Sequence, residues 1–122
     1  MSILQEKPYV RQVPAHWSCL TWTPEKLAEI FGDETLSGRI GNNGQDILNE
    51  NECEKMSARL SDFLKLEKVW YCAYMRMSEM AIDQLPWEEL GLRDTGGDSC
   101  LWVGSAGSGT GLHRDAYGWN CV

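Results

Sequence analysis

The segment CLWVGSAGSGTGLHRDAYGWNCV, from Cys100 to Val122, restricts the fold more than any other part of the chain. It opens on an apolar, β-like run, CLWVG, after which glycine recurs at 104, 107, 109 and 111. So dense a glycine run excludes a helix, since each glycine there costs backbone entropy, and it favours turns that need positive φ. The direct reading is a strand, a hairpin turn, and a second extended stretch, TGLHRD. These glycines do not make a phosphate loop. Gly104 and Gly109 have the Walker separation, but Thr110 stands where that loop needs lysine. The dinucleotide pattern also fails, because Gly107, Gly109 and Gly111 follow one another at every second position with no helix pattern after them.

Upstream, helix and strand signals alternate. Thr23 before Pro24 and Glu25 is a helix start, with Leu27, Ile30 and Phe31 on one face and Gly32 as the stop. GRIGNNGQDILNENE, Gly38 to Glu52, reads as a strand end, a turn at Asn43-Gly44 and a loop. Its few apolar residues predict disorder between Gly41 and Glu54. Ser57 is placed to cap a second amphipathic helix whose buried stripe is Leu60, Phe63 and Leu64. VWYCAYM, Val69 to Met75, has the composition of a strand, Pro86 opens a short helix PWEEL, and RDTGGDS is a loop. The order is that of an α+β fold, with Trp70, Trp87, Leu101 and Trp102 expected in its apolar contacts.

Composition narrows the function classes. With 122 residues, 43% of them hydrophobic, the chain suffices for one domain with a core. Eleven basic side chains against 18 acidic ones leave a net charge of -7, the wrong sign for a nucleic-acid surface. Cys19, Cys53, Cys72, Cys100 and Cys121 are scattered without a C-x-x-C pair, which argues against a zinc cluster or a disulfide framework and for reduced thiols. MSILQEKPYV lacks the apolar core of a signal peptide, and no run approaches a membrane span. A cytoplasmic or nuclear protein without membrane contact is expected.

His113 and Asp115 carry the chemistry. Two apart on an extended segment, they project from one face, so an imidazole nitrogen and a carboxylate oxygen converge. These are two of the three groups of the 2-His-1-carboxylate arrangement that holds Fe(II) with open coordination positions. The plainer alternative is a surface pair, with Arg114 on the other face bridging to an acid. Thr110 reads equally as a turn hydroxyl, Asn120 as a strand-edge amide and Tyr71 as core. His16, in PAHWS, reads as structural.

LWVGSAGSGTGLHRDAYGWN resembles the segment of jumonji C oxygenases in which a strand, a glycine turn, a threonine, the H-x-D pair and an asparagine follow in order. Within that family the chain looks most like the heat-shock-protein-associated jumonji proteins and the asparaginyl-hydroxylase-like branch. KPYVRQVPAHW, WTPEKLAEIFGDE, VWYCAYM and LPWEELGL resemble the elements that precede the family's barrel. Gly111 departs from the proline or small residue that often follows the threonine. The resemblance implies the first part, residues 1–122, of one jumonji C (cupin-like) domain, with N-terminal helices leading into a double-stranded β-helix. It implies His113 and Asp115 as Fe(II) ligands, and Thr110, Asn120 and Tyr71 as 2-oxoglutarate contacts. The distal iron histidine and the basic residue for 2-oxoglutarate are then expected after Val122, so residues 1–122 alone should show no turnover. The implied reaction couples decarboxylation of 2-oxoglutarate to hydroxylation, with a protein side chain as first expectation for substrate and histone demethylation less favoured. A non-enzymatic jumonji scaffold that binds a protein partner, such as a small heat-shock protein, is the alternative.

Overall fold

The computed structural model describes residues 10, 12–42, 44–76, 83–91 and 99–113. Helix α1 (Pro24–Phe31) begins as the sequence dictates. Thr23 Oγ1 accepts the Lys26 N–H at 3.1 Å, Pro24 takes the first turn where no amide partner is missed, and Gly32 ends the helix at φ 54°. Among the described residues four strands follow, β1 (Leu36–Ile40), β2 (Glu54–Ala58), β3 (Trp70–Arg76) and β4 (Cys100–Gly104), interrupted after β2 by a single helical turn, α2 (Leu60–Phe63). They form one antiparallel sheet in the order β2-β1-β3-β4. The chain is therefore α+β.

One face of the sheet makes the core. Leu36 and Ile40 of β1 and Trp70, Cys72 and Met75 of β3 pack against Phe31 of α1 and Leu60 and Phe63 of α2. Burying each large apolar side chain contributes roughly 1.5–3 kcal/mol. Phe63 reaches the sheet only because Gly38 lies beneath its ring, where an added Cβ would collide with it. Its ring centre is 5.5 Å from that of Trp70. Regular alternation from Cys72 would turn Met75 outward. A β-bulge corrects this: Ala73 and Tyr74 together oppose Trp102, Tyr74 takes φ 55°, and Met75 returns to the core at 3% exposure. Leu101 and Val103 pack against that core, whereas Tyr74 and Trp102 meet edge to face, 5.3 Å apart, on the solvent side.

Two expectations are corrected. Ser57 caps no helix; it lies within β2, paired with Ser37, because EKMSA alternates so that Met56 and Ala58 turn toward the core. The helix starts later, at Leu60, with Asp62 Oδ2 accepting the Arg59 N–H at 3.2 Å. The stretch from Gly41 to Glu54 is likewise more anchored than its composition suggests. Leu48 is fully buried on the far side of the sheet from the main core, and the buried Arg39 donates to its carbonyl. The sequence reading of Trp87 holds, since PWEEL forms a 3-10 turn, Trp87–Leu90, and Trp87 packs edge to face on buried Trp17. His16 takes a structural position there: its Nε2 lies 2.9 Å from Glu89 Oε2, which also accepts the Trp17 indole N–H. The RDTGGDS loop, apart from Ser99, lies outside the described residues.

Candidate functional site

The site is built on the segment that leaves β4. Ser105 closes the end of the sheet, its N–H donating to the Trp70 carbonyl while its Oγ accepts the Trp70 N–H, each at 3.0 Å. The chain then reverses through Gly107 at φ 84°, with Ser108 N–H on the Ser105 carbonyl at 3.1 Å. The positive-φ turn is thus where the glycines predict it. Among the described residues it forms no hairpin. Gly109 turns its backbone to the 46–48 loop, donating to the Asp46 carbonyl at 3.0 Å and accepting the Leu48 N–H at 2.7 Å, in a parallel bridge with Ile47. The unpaired amides of that loop, not the edge of β4, satisfy the glycine backbone.

Beyond Gly109 the segment stays pinned to the same loop. The Gly111 N–H donates to Asn49 Oδ1 at 2.9 Å, and His113 Nδ1 lies 2.9 Å from the Gly111 carbonyl. A carbonyl only accepts, so Nδ1 is the donor in this contact. Thr110 and His113 both sit at the surface. Tyr71 stands at the root of the segment: an added Cβ on Gly104 would lie 2.8 Å from its ring, and the Arg39 guanidinium lies over the ring, 5.5 Å from its centre. Asp115 and Asn120, with Arg114 and Cys121, lie outside the described residues.

Of the five sequence-predicted site residues the structure therefore positions Tyr71, Thr110 and His113. It adds Asn49 and Arg39, which the sequence reading did not single out. Strand alternation could have put Arg39 on the face opposite Gly38 and Ile40; nothing in the local pattern marks Asn49, whose role depends on a contact 62 residues away. Among the described residues no group of three or more His, Cys, Asp and Glu gathers around one point. Among the described residues Cys19, Cys53, Cys72 and Cys100 are free thiols, and burial pushes the Cys72 thiol up to about 12, which makes it unreactive. No helix among the described residues is long and apolar enough to cross a membrane.

Comparison with known proteins gives distant relatives. The chain is 26% identical to the HSPB1-associated protein 1 homolog of Danio rerio over 150 aligned positions, which take in 100% of this chain and 33% of that protein. It is 26% identical to HSPB1-associated protein 1 of Mus musculus over 132 positions, covering 87% of this chain and 27% of the relative. For the Bos taurus protein the identity is again 26%, with 98% and 30% covered. The chain thus spans about a third of the length of the curated relatives it matches. No family model matches the sequence, and no solved structure matches it at a significant level.

Proposed function

We propose that this chain forms the N-terminal part of a jumonji C domain with a double-stranded β-helix fold, an Fe(II)- and 2-oxoglutarate-dependent oxygenase whose substrate is a protein side chain. The observation that carries the reading is the order strand, glycine turn, Thr110, His113-x-Asp115, Asn120 in a chain similar along its length to HSPB1-associated proteins. The donor chemistry fits the metal. With Nδ1 2.9 Å from the Gly111 carbonyl, a neutral His113 would keep its proton there and would turn Nε2 to a metal, the usual arrangement of a ligating imidazole. His113 and Asp115 would hold Fe(II), while Thr110, Asn120 and Tyr71 would bind 2-oxoglutarate. When bound, the metal would let O2 react, one oxygen atom going to the substrate C–H bond and the other to succinate as 2-oxoglutarate is oxidised and loses CO2. This chain's residues then bind, orient and exclude water.

The test is anaerobic Fe(II) binding by the intact protein, followed by succinate release with 2-oxoglutarate and ascorbate. Binding lost in His113→Ala and in Asp115→Ala, together with iron-dependent succinate, is expected. Wild-type iron affinity in both variants would sink the ligand assignment.

A second reading is favoured by the relatives' names. They are called HSPB1-associated, and a scaffold that binds a small heat-shock protein without turnover fits that description. Saturable binding of a small heat-shock protein, unaffected by His113→Ala and unaccompanied by iron binding or succinate, would decide for it.

A further inference from the structure

We propose that Asn49 is a positioning residue for His113, acting through Gly111, which deepens and rests on the reading of His113 as a metal ligand. GTGLH carries two glycines and on composition alone is among the most flexible stretches of the chain. An imidazole at its end would sample many orientations unless something distant fixed the backbone. Asn49 does this from the 46–53 loop. Its Nδ2 donates to Glu52 Oε2 at 3.0 Å, so its Oδ1 is the atom left to accept the Gly111 N–H at 2.9 Å. The amide orientation is thereby set by its network, since only that way round do both ends pair. The main chain of Asn49 is held as well, its carbonyl accepting the Glu52 N–H and the Cys53 thiol, each at 3.1 Å.

Gly111 is the second link. A Cβ there would lie 3.1 Å from Asn49 Oδ1, so the absence of a side chain permits the close approach. A proline, one of the residues the family resemblance leads one to expect at this position, would have no N–H to give. With its N–H on Asn49, Gly111 presents its carbonyl to His113 Nδ1 at 2.9 Å, which favours the Nδ1–H tautomer of the neutral ring and would direct Nε2 to a metal. The loop from 46 to 53 would therefore be part of the site, acting behind the ligand His113.

Two readouts separate this role from simple loop stability. The first is the pair of ring 15N shifts of His113 in metal-free, neutral-imidazole protein; the chain has only two histidines, and His113→Ala assigns them. The second is the dissociation constant for Mn(II) alone, from loss of the free-ion EPR signal. Asn49→Ala should shift the His113 pattern from Nδ1–H toward a mixture of tautomers and weaken Mn(II) binding roughly 10–100-fold. Asn49→Asp with Glu52→Gln restores an acceptor for Gly111 and a donor behind it, and should recover both signals. Glu52→Ala, which loosens the loop but leaves the Gly111 bond, should keep the tautomer. Should wild type bind Mn(II) through His113 while Asn49→Ala keeps its affinity and tautomer, the positioning role is overturned and the ligand reading stands. Should His113→Ala bind Mn(II) as wild type does, the ligand reading falls and this role with it.

Discussion

Arg39 donates from Nη1 to the Leu48 carbonyl at 2.8 Å, joining the middle of the sheet to the middle of a polar loop nine residues on. Arg39 is only 8% exposed, and its guanidinium also lies over the face of Tyr71. Arg39→Met keeps most of the apolar stem but leaves a buried carbonyl without its donor, a loss of about 1–3 kcal/mol. The expected result is a lower urea midpoint with new protease cutting between Gly41 and Glu54. Unchanged midpoint and cutting would mean that Leu48 alone holds the loop.

That bond also explains what the sequence hid. α1, β3, β4 and the turn at Gly107 were legible because local chemistry fixes them: Thr23-Pro24, an aromatic and β-branched run, and glycine where φ is positive. β2 was not, since EKMSA is short and polar and becomes a strand only by pairing with β1. The anchoring of the 46–49 loop was illegible for the same reason. Gly109 and Gly111 come from a distant part of the chain, so no short window of sequence contains both sides of their bonds, while Arg39, only nine residues from Leu48, is held there by the pairing of β1 into the sheet. Of the candidate site, the residue types were readable from the motif, whereas the tautomer of His113 and its support by Asn49 needed coordinates.

Gly38→Ala tests the packing of the core against the sheet. Its new methyl would enter the ring of Phe63 and come within 3.1 Å of Cys72 Sγ, with fully buried neighbours that have little room to yield. Overpacking of this kind costs about 1–3 kcal/mol. Gly38→Ala combined with Phe63→Leu should recover part of that loss, a coupling measurable as a double-mutant cycle in urea. Additive losses would mean that the backbone shifts and the ring does not bear the strain.

Glu89 predicts a dependence on acid. The Trp17 indole N–H, and then His16, hold its carboxyl below the usual glutamate range. A carboxyl whose folded value is depressed contributes stability that is present above its unfolded value and fades as pH falls through the folded one. The thermal midpoint should therefore decline on acidification from the ordinary glutamate range downward. In Glu89→Gln the decline should be shallower, because glutamine can still accept from Trp17 but does not titrate. The group is exposed, so the effect is small and should shrink further with salt. Identical pH profiles for the two proteins would remove Glu89 from the account.

Thr110 and Tyr71 test the cosubstrate assignment from two sides. Thr110 is at the surface, so Thr110→Val should leave stability within about 0.5 kcal/mol of wild type. If its hydroxyl serves the 2-oxoglutarate carboxylate, the same change removes a charge-assisted hydrogen bond, about 1.5–3 kcal/mol or roughly 10–100-fold in affinity. Thr110→Ser should restore it. Tyr71 differs, because its ring already has a structural task beneath Arg39 and beside Gly104. Tyr71→Phe keeps the ring and should keep stability, so any loss of 2-oxoglutarate binding, read by calorimetry with Mn(II) in place of iron, belongs to the phenol hydroxyl. Wild-type affinity in Tyr71→Phe, with a loss in Thr110→Val, would assign Tyr71 to packing and leave Thr110 as the contact. Wild-type affinity in both would take the cosubstrate site away from this segment.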